Sequence, residues 1–309
     1  MAVWLDNVVQ EERLLFPGHA ACAGCGPAIN MHHVLGAIQA ARPESKIVLV
    51  IPASCWTIIA GVYPVSAFDV AVHLTPFASA AAEASGLVAA YRLRGVPATV
   101  VVWGGDGSTA DIGFSGLSAA AERNEDVLYV LNDNEAYMNT GVQKSGATPE
   151  GAWTTTTPAR APRHGRKKDL ARIMAAHGIP YVATLAAGSV PMLKDFRRKV
   201  TRAVEIEHSF RFLHVLGGCP PGWRYPTDQS VEVTRLAVES HYFPLVECDH
   251  GEWKVTFDPK HPVPVREFLA TQGRFAHLDS EAIAAIQEHV DERLQLLEQG
   301  QHRDGAESR

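Results

Sequence analysis

Two apolar runs, each followed directly by a polar turn, constrain the fold of this chain more than any other sequence feature. Residues 98–103 (ATVVVW) lead into the turn 104–107 (GGDG), and residues 127–131 (VLYVL) lead into the turn 132–134 (NDN). A stretch with helical character, 112–123, lies between them. Short apolar runs bounded by turn residues are typical of strands buried in a parallel sheet. The sequence therefore predicts a β-α-β unit with polar turns at the carboxyl ends of both strands.

The polar turns carry oxygen atoms of the kind that bind Mg²⁺. Open α/β sheets bind ligands where their strands end, so the carboxylate of Asp106 and the amide of Asn134 are expected at one edge. Mg²⁺ is usually held by one or two such groups together with the phosphates of a ligand. Gly105 and Gly107 would let a diphosphate approach the backbone and the following helix N-terminus. A Gly-Asp-Gly alone marks a plain turn more often, and the second turn is what favours a site.

The arrangement resembles the thiamin-diphosphate-binding motif, in which a Gly-Asp-Gly turn and an Asn-containing strand end are separated by a β-α-β interval. In enzymes with that motif, the Asp and the Asn bind Mg²⁺, and the ion holds the diphosphate. The resemblance implies that Asp106 and the Asn134 side chain are Mg²⁺ ligands here, with the Ala136 carbonyl oxygen as the third.

Length, charge and hydropathy exclude several classes of protein. The chain of 309 residues can bury a sizeable core without disulfides, and its net charge of −6 argues against nucleic acid as a partner. The one basic stretch, 160–168, is interpreted as a solvated loop, with docking of an acidic electron carrier as the alternative. Residues 1–10 lack a signal-peptide pattern, and the apolar window 47–68 is interrupted by prolines and polar residues. A cytoplasmic protein without a membrane span is expected.

Four of the five cysteines are placed where they could bind a cluster. Disulfides are disfavoured in a cytoplasmic chain, so the close pair Cys22 and Cys25 indicates metal binding or redox chemistry. Cys55 and Cys219 each follow a predicted strand, at the edge where the magnesium site is expected. Four thiolates that converge there could hold a [4Fe-4S] cluster.

Other roles for the cysteines are less favoured. A structural zinc site usually has two close cysteine pairs, and this chain has one. A thioredoxin-like redox pair normally follows a strand, whereas Cys22 and Cys25 lie in a glycine-rich loop before a helix. Small residues such as Gly24 in that loop suit a backbone that wraps around a bulky ligand. Cys248 is interpreted as an ordinary, partly buried thiol.

Four segments in order closely resemble the β subunit of 2-oxoacid:ferredoxin oxidoreductases. They are GHAACAGCGPA at 18–28, GGDGSTADIGFSGLSAA at 104–120, NDNEAYMNTGVQKSGATPEGAWTTTTP at 132–158 and CPPGW at 219–223. The similarity extends over about 14–280 and implies thiamin diphosphate, Mg²⁺ and a [4Fe-4S] cluster as cofactors. The implied cluster ligands are Cys22, Cys25, Cys55 and Cys219. The residues implied to bind thiamin diphosphate and its ion are Gly24, Gly105, Asp106, Gly107, Ser108, Asn134, Ala136, Asn139, Thr140 and Gly141.

The resemblance also implies a reaction and partners. Such enzymes convert a 2-oxoacid and coenzyme A into an acyl-CoA and CO2, and pass electrons through the cluster to ferredoxin or a ferredoxin-like δ subunit. Asn139 matches a family asparagine near the thiazolium and the substrate; a turn-forming role is its alternative. No carboxylate of this chain matches the glutamate that activates the cofactor, which implies an α or fused α/γ subunit that carries the pyrimidine-binding domain.

The substrate and the reaction class retain alternatives. Pyruvate is the default substrate, while 2-oxoglutarate, branched-chain 2-oxoacids, an aryl pyruvate and oxalate stay open. A non-oxidative thiamin-dependent decarboxylase or synthase would need no cluster. A non-catalytic electron-transfer subunit or a zinc-stabilised scaffold would not depend on Asp106.

The coarse pattern predicts an α/β fold with a mostly parallel sheet and helices on both faces, the diphosphate-binding half of a thiamin-diphosphate-binding fold. Strands are predicted near 47–51, 98–103, 127–132, 181–184 and 211–216, and helices near 27–41, 77–93, 112–123, 169–177 and 190–206. The stretch 139–166 is expected to be a functional loop around the diphosphate. Residues 1–255 are assigned to the cofactor-binding domain and 256–309 to an extension with a terminal helix capped by Ser280.

Overall fold

The computed structural model describes residues 14–62, 64–162 and 165–307, and its centre is an eight-stranded sheet. Residues 1–10, whose composition predicts no signal peptide, lie outside this part. The strands are β1 Lys46–Pro52, β2 Ala71–Thr75, β3 Ala98–Gly105, β4 Leu128–Asp133, β5 Tyr181–Leu185, β6 Arg211–Leu216, β7 Leu245–Asp249 and β8 Glu252–Phe257. The helices are α1 Gly26–Ala41, α2 Trp56–Ile59, α3 Ala80–Leu93, α4 Phe114–Glu122, α5 Leu170–Ala175, α6 Val190–Glu205, α7 Pro220–Trp223, α8 Ser230–Glu239, α9 Val265–Ala270 and α10 Ser280–Glu307. Short helical turns of other types span Ser108–Ile112, Thr227–Gln229 and Gly273–Phe275.

The strand order is β2-β1-β3-β4-β6-β5-β7-β8. Neighbouring strands from β2 to β5 are parallel, whereas β7 and β8 are added antiparallel at one side. This confirms the predicted mostly parallel sheet. The sequence patterns did not predict β2, β7 or β8. The edge strands β2 and β8 expose or half-expose most of their side chains, so they lack the continuous apolar run by which buried strands are recognised.

Helices cover both faces of the sheet, as predicted. On one face, α1 and α6 pack on alternate residues of the strands, such as Leu49, Val101 and Leu213. On the other face, α3, α4 and α5 pack on the intervening residues, such as Val50 and Val102. Because successive side chains of a strand point to opposite faces, both faces of these strands must be apolar to bury both layers. Within the described ranges, no helix combines the length and the apolar character needed to cross a bilayer.

The C-terminal region packs on the sheet through a third apolar cluster that includes residues of α8, α9 and α10. Strand β8 continues to Phe257, past the predicted division at 255, and the division stays a prediction. The predicted capping residue of the last helix was wrong. Asp279 accepts the Ala282 N–H through its side chain at 2.9 Å, and Ser280 is the first helical residue. A carboxylate in this position satisfies an N–H group that the helix itself leaves unpaired.

Four adjacent parallel strands end at the same edge of the sheet and are each followed by a predicted ligand. These strands are β1, β3, β4 and β6, and the residues that follow them are Cys55, Asp106, Asn134 and Cys219. The strand order therefore places the two kinds of predicted ligand beside one another.

Candidate active site

One open cleft lies at this edge and contains most of the residues that the sequence assigns to the site. Its wall includes Cys22, Cys25, Cys55, Gly105, Asp106, Gly107, Ser108, Asn134, Ala136, Asn139, Thr140 and Cys219. Two predicted residues are not part of this wall. Gly24 packs against the segment that follows α7, since an added Cβ would lie 2.0 Å from the Thr227 carbonyl oxygen. Gly141 lies in the next turn and donates its N–H to the Met138 carbonyl at 3.3 Å.

Three oxygen atoms converge at the ends of β3 and β4. The Asn134 side-chain oxygen lies 3.1 Å from Asp106 Oδ1 and 2.9 Å from the Ala136 carbonyl oxygen. An octahedral Mg²⁺ ion with ligands at about 2.1 Å places adjacent ligand atoms about 3.0 Å apart. If the amide were rotated, its NH2 group would donate to both oxygens instead. The donor set and its spacing therefore fit one face of a Mg²⁺ coordination sphere.

The Asp106 carboxylate is buried in a position that favours a cation. It is 2% exposed, and burial, together with the nearby Asp133, holds the pKa of Asp106 well above its usual range. The Ser145 hydroxyl donates to Asp106 Oδ2, and this bond partly offsets the rise in pKa because it favours the charged carboxylate. A bound divalent ion would compensate this buried charge far more than one hydrogen bond does.

The turn after β3 leads directly into a helical segment and keeps its backbone accessible. The side chains of Ser108 and Thr109 both donate to the Gly105 carbonyl, at 2.9 and 2.7 Å. The N–H groups of a first helical turn have no carbonyl partner within the helix, so they are available to an anion such as a diphosphate. The phosphate-binding role of this turn stays a prediction.

Gly107 is required here because the ring of Tyr137 lies against it. A Cβ added to Gly107 would lie 2.1 Å from Tyr137 Cε1. The Tyr137 hydroxyl donates to the Gly107 carbonyl at 3.2 Å and to Asp111 Oδ2 at 3.1 Å, so the ring cannot move without breaking these bonds. Tyr137 thereby fixes the loop after β4 on the turn after β3.

We expect Gly107→Ala to displace Tyr137 and to reduce turnover of the assembled enzyme about 10- to 100-fold, because shifts of about 1 Å in positioning groups have effects of this size. The same overpacking should lower the free energy of unfolding by about 1–3 kcal/mol. Gly86→Ala is the matched control, since Gly86 is an exposed residue of α3 whose added Cβ would contact nothing within 4 Å. It should leave turnover unchanged and raise stability slightly. Equal turnover in both variants would contradict this role of Gly107.

The cysteine-bearing loops are joined beside the oxygen ligands. The Gly26 N–H donates to the Gly218 carbonyl at 3.0 Å, which ties the Cys25 loop to the Cys219 loop. Burial, with a smaller contribution from the other cysteines of the group, raises the pKa of the Cys25 thiol to about 11 and of the Cys219 thiol to about 12. Thiolates at these positions would need a strongly positive centre, because a metal is what keeps coordinating thiols deprotonated.

The four thiols can be compared with the ligand spacing of a single zinc ion. In the described part of the chain, no three His, Cys, Asp or Glu side chains are grouped closely enough to hold a single metal ion. Zinc at about 2.3 Å from each sulfur needs sulfur atoms about 4 Å apart. A multinuclear cluster holds its thiolates further apart than a single zinc ion does, and both the cluster and its zinc alternative stay predictions.

The cleft wall contains a buried amide oxygen without a hydrogen-bond partner among the described residues. Asn132 is 3% exposed, and its Oδ1 has no hydrogen-bond partner among the described residues. Buried polar atoms are normally paired, and those that are not often contact a bound group or water. Asn132 therefore supports the interpretation of this cleft as a cofactor site.

The described residues of the basic stretch 160–168 are mostly exposed, as predicted for a solvated loop, and Lys167 is the exception among the basic ones. Lys167 has a side chain only 15% exposed, and its Nζ lies 2.6 Å from Oε1 of the buried Glu135. Lys168 donates to the Ala110 carbonyl and lies 3.3 Å from Asp111 Oδ1. Residues 163 and 164 lie outside the described part. The stretch 165–168 thus fastens the loop to the site.

Sequence patterns did not identify the residues that support the ligands. Among these are Tyr137, Ser145, Lys167 and Arg274, together with Glu135, which lies between two predicted ligands. One indication of this region came from the sequence, the predicted functional loop 139–166, because long irregular loops in compact domains are usually functional. The described part of that loop contains no helix or strand.

Comparison with known proteins identifies the family. The family model of the thiamine pyrophosphate enzyme, C-terminal TPP binding domain, matches residues 56–215. The pyruvate synthase subunit PorB of Methanocaldococcus jannaschii is 46% identical over 298 residues, which is 93% of this chain and 97% of that protein. The ketoisovalerate oxidoreductase subunit VorB of Pyrococcus furiosus is 44% identical over 298 residues, which is 93% of each protein.

A solved structure agrees with this fold. The 2-oxoglutarate:ferredoxin oxidoreductase from Magnetococcus marinus, with 2-oxoglutarate, coenzyme A and succinyl-CoA bound, matches 70% of this chain and 77% of that chain with a TM-score of 0.57. At 23% identity it supports the fold alone. With the sequence relatives, the matched family model and the cleft geometry, the resemblance seen in the sequence is confirmed: the chain belongs to the thiamin-diphosphate-binding β subunits of the 2-oxoacid:ferredoxin oxidoreductase family.

Proposed function

We propose that this chain is the catalytic β subunit of an enzyme that oxidatively decarboxylates a 2-oxoacid with coenzyme A, using thiamin diphosphate, Mg²⁺ and a [4Fe-4S] cluster. The observation that carries the proposal is the convergence of three oxygen ligands and four cysteines in one cleft. Decarboxylation needs an electron sink, and oxidation needs an acceptor of single electrons nearby. One cleft that could hold both cofactors satisfies both needs.

The oxygen side of the cleft would bind the cofactor. Bound thiamin diphosphate supplies the electron sink for loss of CO2 from a 2-oxoacid. Asp106, the Asn134 amide and the Ala136 carbonyl would bind Mg²⁺, and the turn after β3 would face the diphosphate with its N–H groups. Asn139 and Thr140 line the same cleft, and Asn139 would contact the reacting centre.

The cysteine side of the cleft would remove electrons. Cys22, Cys25, Cys55 and Cys219 would hold the cluster, and the overall reaction transfers two electrons from the 2-oxoacid and coenzyme A to ferredoxin or a ferredoxin-like δ subunit. Cys22 is exposed, so this corner of the cleft is open to an electron acceptor.

The active site would be completed by a partner subunit. Among the described residues of the cleft wall, Asp106 is the only carboxylate, and it is used as a metal ligand. A glutamate that activates the cofactor must therefore come from elsewhere, as expected for an α or fused α/γ subunit with the pyrimidine-binding domain. Pyruvate is the default substrate, and 2-oxoisovalerate is the second candidate because relatives of nearly equal identity carry names for each.

The experiment that tests the proposal is anaerobic co-purification of the tagged chain, followed by metal analysis and viologen reduction with coenzyme A and a panel of 2-oxoacids. We expect partner subunits, iron and sulfide in equal amounts, and one preferred 2-oxoacid. Decarboxylation without iron or viologen reduction would favour a non-oxidative thiamin enzyme. Bound cofactors with no active 2-oxoacid, oxalate included, would contradict the proposed reaction.

A further inference from the structure

Glu135 has an unusual backbone conformation between two of the proposed metal ligands. Its φ of 66° lies in the left-handed region, which side-chain-bearing residues rarely adopt. The chain bends at this residue, and the side-chain oxygen of Asn134 lies close to both the Ala136 carbonyl oxygen and Asp106 Oδ1. Such conformations persist only when the surrounding structure holds them, and they are concentrated at functional sites.

The side chain of Glu135 is buried and bound by three groups from distant parts of the chain. It is fully buried. Lys167 Nζ donates to Oε1 at 2.6 Å, the Tyr242 hydroxyl donates to Oε1 at 3.3 Å, and an Arg274 NH2 group donates to Oε2 at 2.6 Å. The basic stretch 160–168 and the C-terminal region therefore meet at this one carboxylate.

The backbone of this turn is held as firmly as the side chain. The Glu135 N–H donates to Asp133 Oδ1 at 2.8 Å, and its carbonyl accepts the Thr148 hydroxyl at 2.7 Å. The Trp223 indole N–H donates to the Asn134 carbonyl at 2.8 Å. The Arg274 guanidinium lies 3.9 Å from the centre of the Trp223 ring. Arg274 therefore contacts both the Glu135 carboxylate and the ring that donates to the Asn134 carbonyl.

We propose that Glu135, held by Lys167 and Arg274, is a positioning residue that prearranges the ligands of the metal ion before the ion binds. The inference rests on the proposed function, since it concerns the Mg²⁺ site of the cleft. None of the three side chains lies in the cleft wall, so none of them would be a ligand of the ion. They act by fixing a turn that would otherwise relax out of the left-handed region and separate the Asn134 and Ala136 oxygens. Supporting residues of this kind change metal affinity about 10- to 100-fold.

Lys167→Met in the assembled complex tests this inference, because it removes one anchor and leaves every proposed ligand in place. Binding of Mn²⁺, as a spectroscopic substitute for Mg²⁺, would be measured by electron paramagnetic resonance with thiamin diphosphate present. We expect Mn²⁺ affinity to fall about 10- to 100-fold. The Mg²⁺ concentration for half-maximal turnover should rise by the same factor, while turnover at saturating Mg²⁺ changes little.

Lys199→Met is the matched control. Lys199 is also a buried lysine, with Nζ at 2.7 Å from Asp195 Oδ2 and 2.9 Å from the Thr184 carbonyl, but it lies in α6 away from the cleft. It should lower stability without changing Mn²⁺ affinity. Lys167→Arg keeps the positive charge and should recover most of the Mn²⁺ affinity. If Lys167→Met does not fold, Lys167→Arg is compared with the unmodified complex instead.

The outcomes separate this inference from the proposed function. If the unmodified complex binds Mn²⁺ and Lys167→Met binds it equally well, the positioning role is overturned while the metal site stands. The same conclusion follows if Lys199→Met weakens Mn²⁺ binding as much as Lys167→Met does. If the unmodified complex binds no Mn²⁺ with thiamin diphosphate, the proposed function itself fails.

Discussion

Asp106→Asn is expected to abolish turnover of the assembled enzyme and to weaken Mg²⁺ and thiamin diphosphate binding at least 100-fold. The estimate is a lower bound, because loss of a residue that merely supports a metal ligand already has effects of about 10- to 100-fold. The substitution keeps the shape of the side chain and removes the charge. In the proposed Mg²⁺ site, Asp106 provides the only negative charge from a side chain, since its other ligands are the Asn134 amide and the Ala136 carbonyl.

The same substitution should not lower the stability of the cofactor-free chain. Burial and the neighbouring carboxylate of Asp133 raise the pKa of Asp106, so its charged form is unfavourable without a cation. Removing this charge should leave the melting temperature equal or higher. Calorimetry of the cofactor-free complex and titration with thiamin diphosphate would measure both effects. Asp69→Asn, at an exposed position, should change neither. A simple loss of stability together with unchanged cofactor affinity would contradict the metal-ligand role of Asp106.

Cys219→Ala is expected to remove the cluster and to reduce viologen reduction to below about a hundredth, since the loss of one ligand exceeds the effect of losing a supporting contact. The thiol lies in the cleft wall beside Cys25, and its loop is tied to the Cys25 loop by the bond from Gly26 to Gly218. Iron and sulfide content and the broad visible absorbance of the cluster should fall together. Thiamin diphosphate binding should persist, because none of its proposed ligands is a cysteine.

Cys248→Ala is the matched control for this experiment. Cys248 is 3% exposed and lies on β7, in the apolar layer beneath the sheet rather than in the cleft. Its loss should leave iron content and viologen reduction unchanged. If Cys219→Ala retained full iron content and activity, Cys219 would not be a cluster ligand, whatever the result for Cys248.

Much of the candidate site was predictable because its signals are local. Asp106 and Asn134 directly follow buried strands, and apolar runs of that kind can be recognised from a few residues. Cys55 and Cys219 were placed by the same reasoning. The edge strands β2 and β8 were missed because a strand that is largely exposed or half-exposed has no such run.

The supporting contacts were not predictable, because they join residues far apart in the chain. Glu135 meets Lys167 across 32 positions and Arg274 across 139. No periodic sequence pattern links positions so far apart. Each of the three residues is also of a charged type that usually lies on the protein surface. Lys167 was placed in a solvated loop for this reason, since a lysine is assigned to solvent unless a buried carboxylate is known to face it.

By itself, the sequence determined five of the parallel strands, β1, β3, β4, β5 and β6, and the predicted ligands that follow four of them, because both depend on neighbours within a few positions. The tertiary structure decided the order of the strands. The pairing of β4 with β6 rather than with β5 places Cys219 beside Asn134, and that choice depends on how whole layers of helices pack. It also decided how the turn that carries Asn134 and Ala136 is held beside the Gly-Asp-Gly turn. Glu135 is buried there among cationic side chains that only the folded chain brings together.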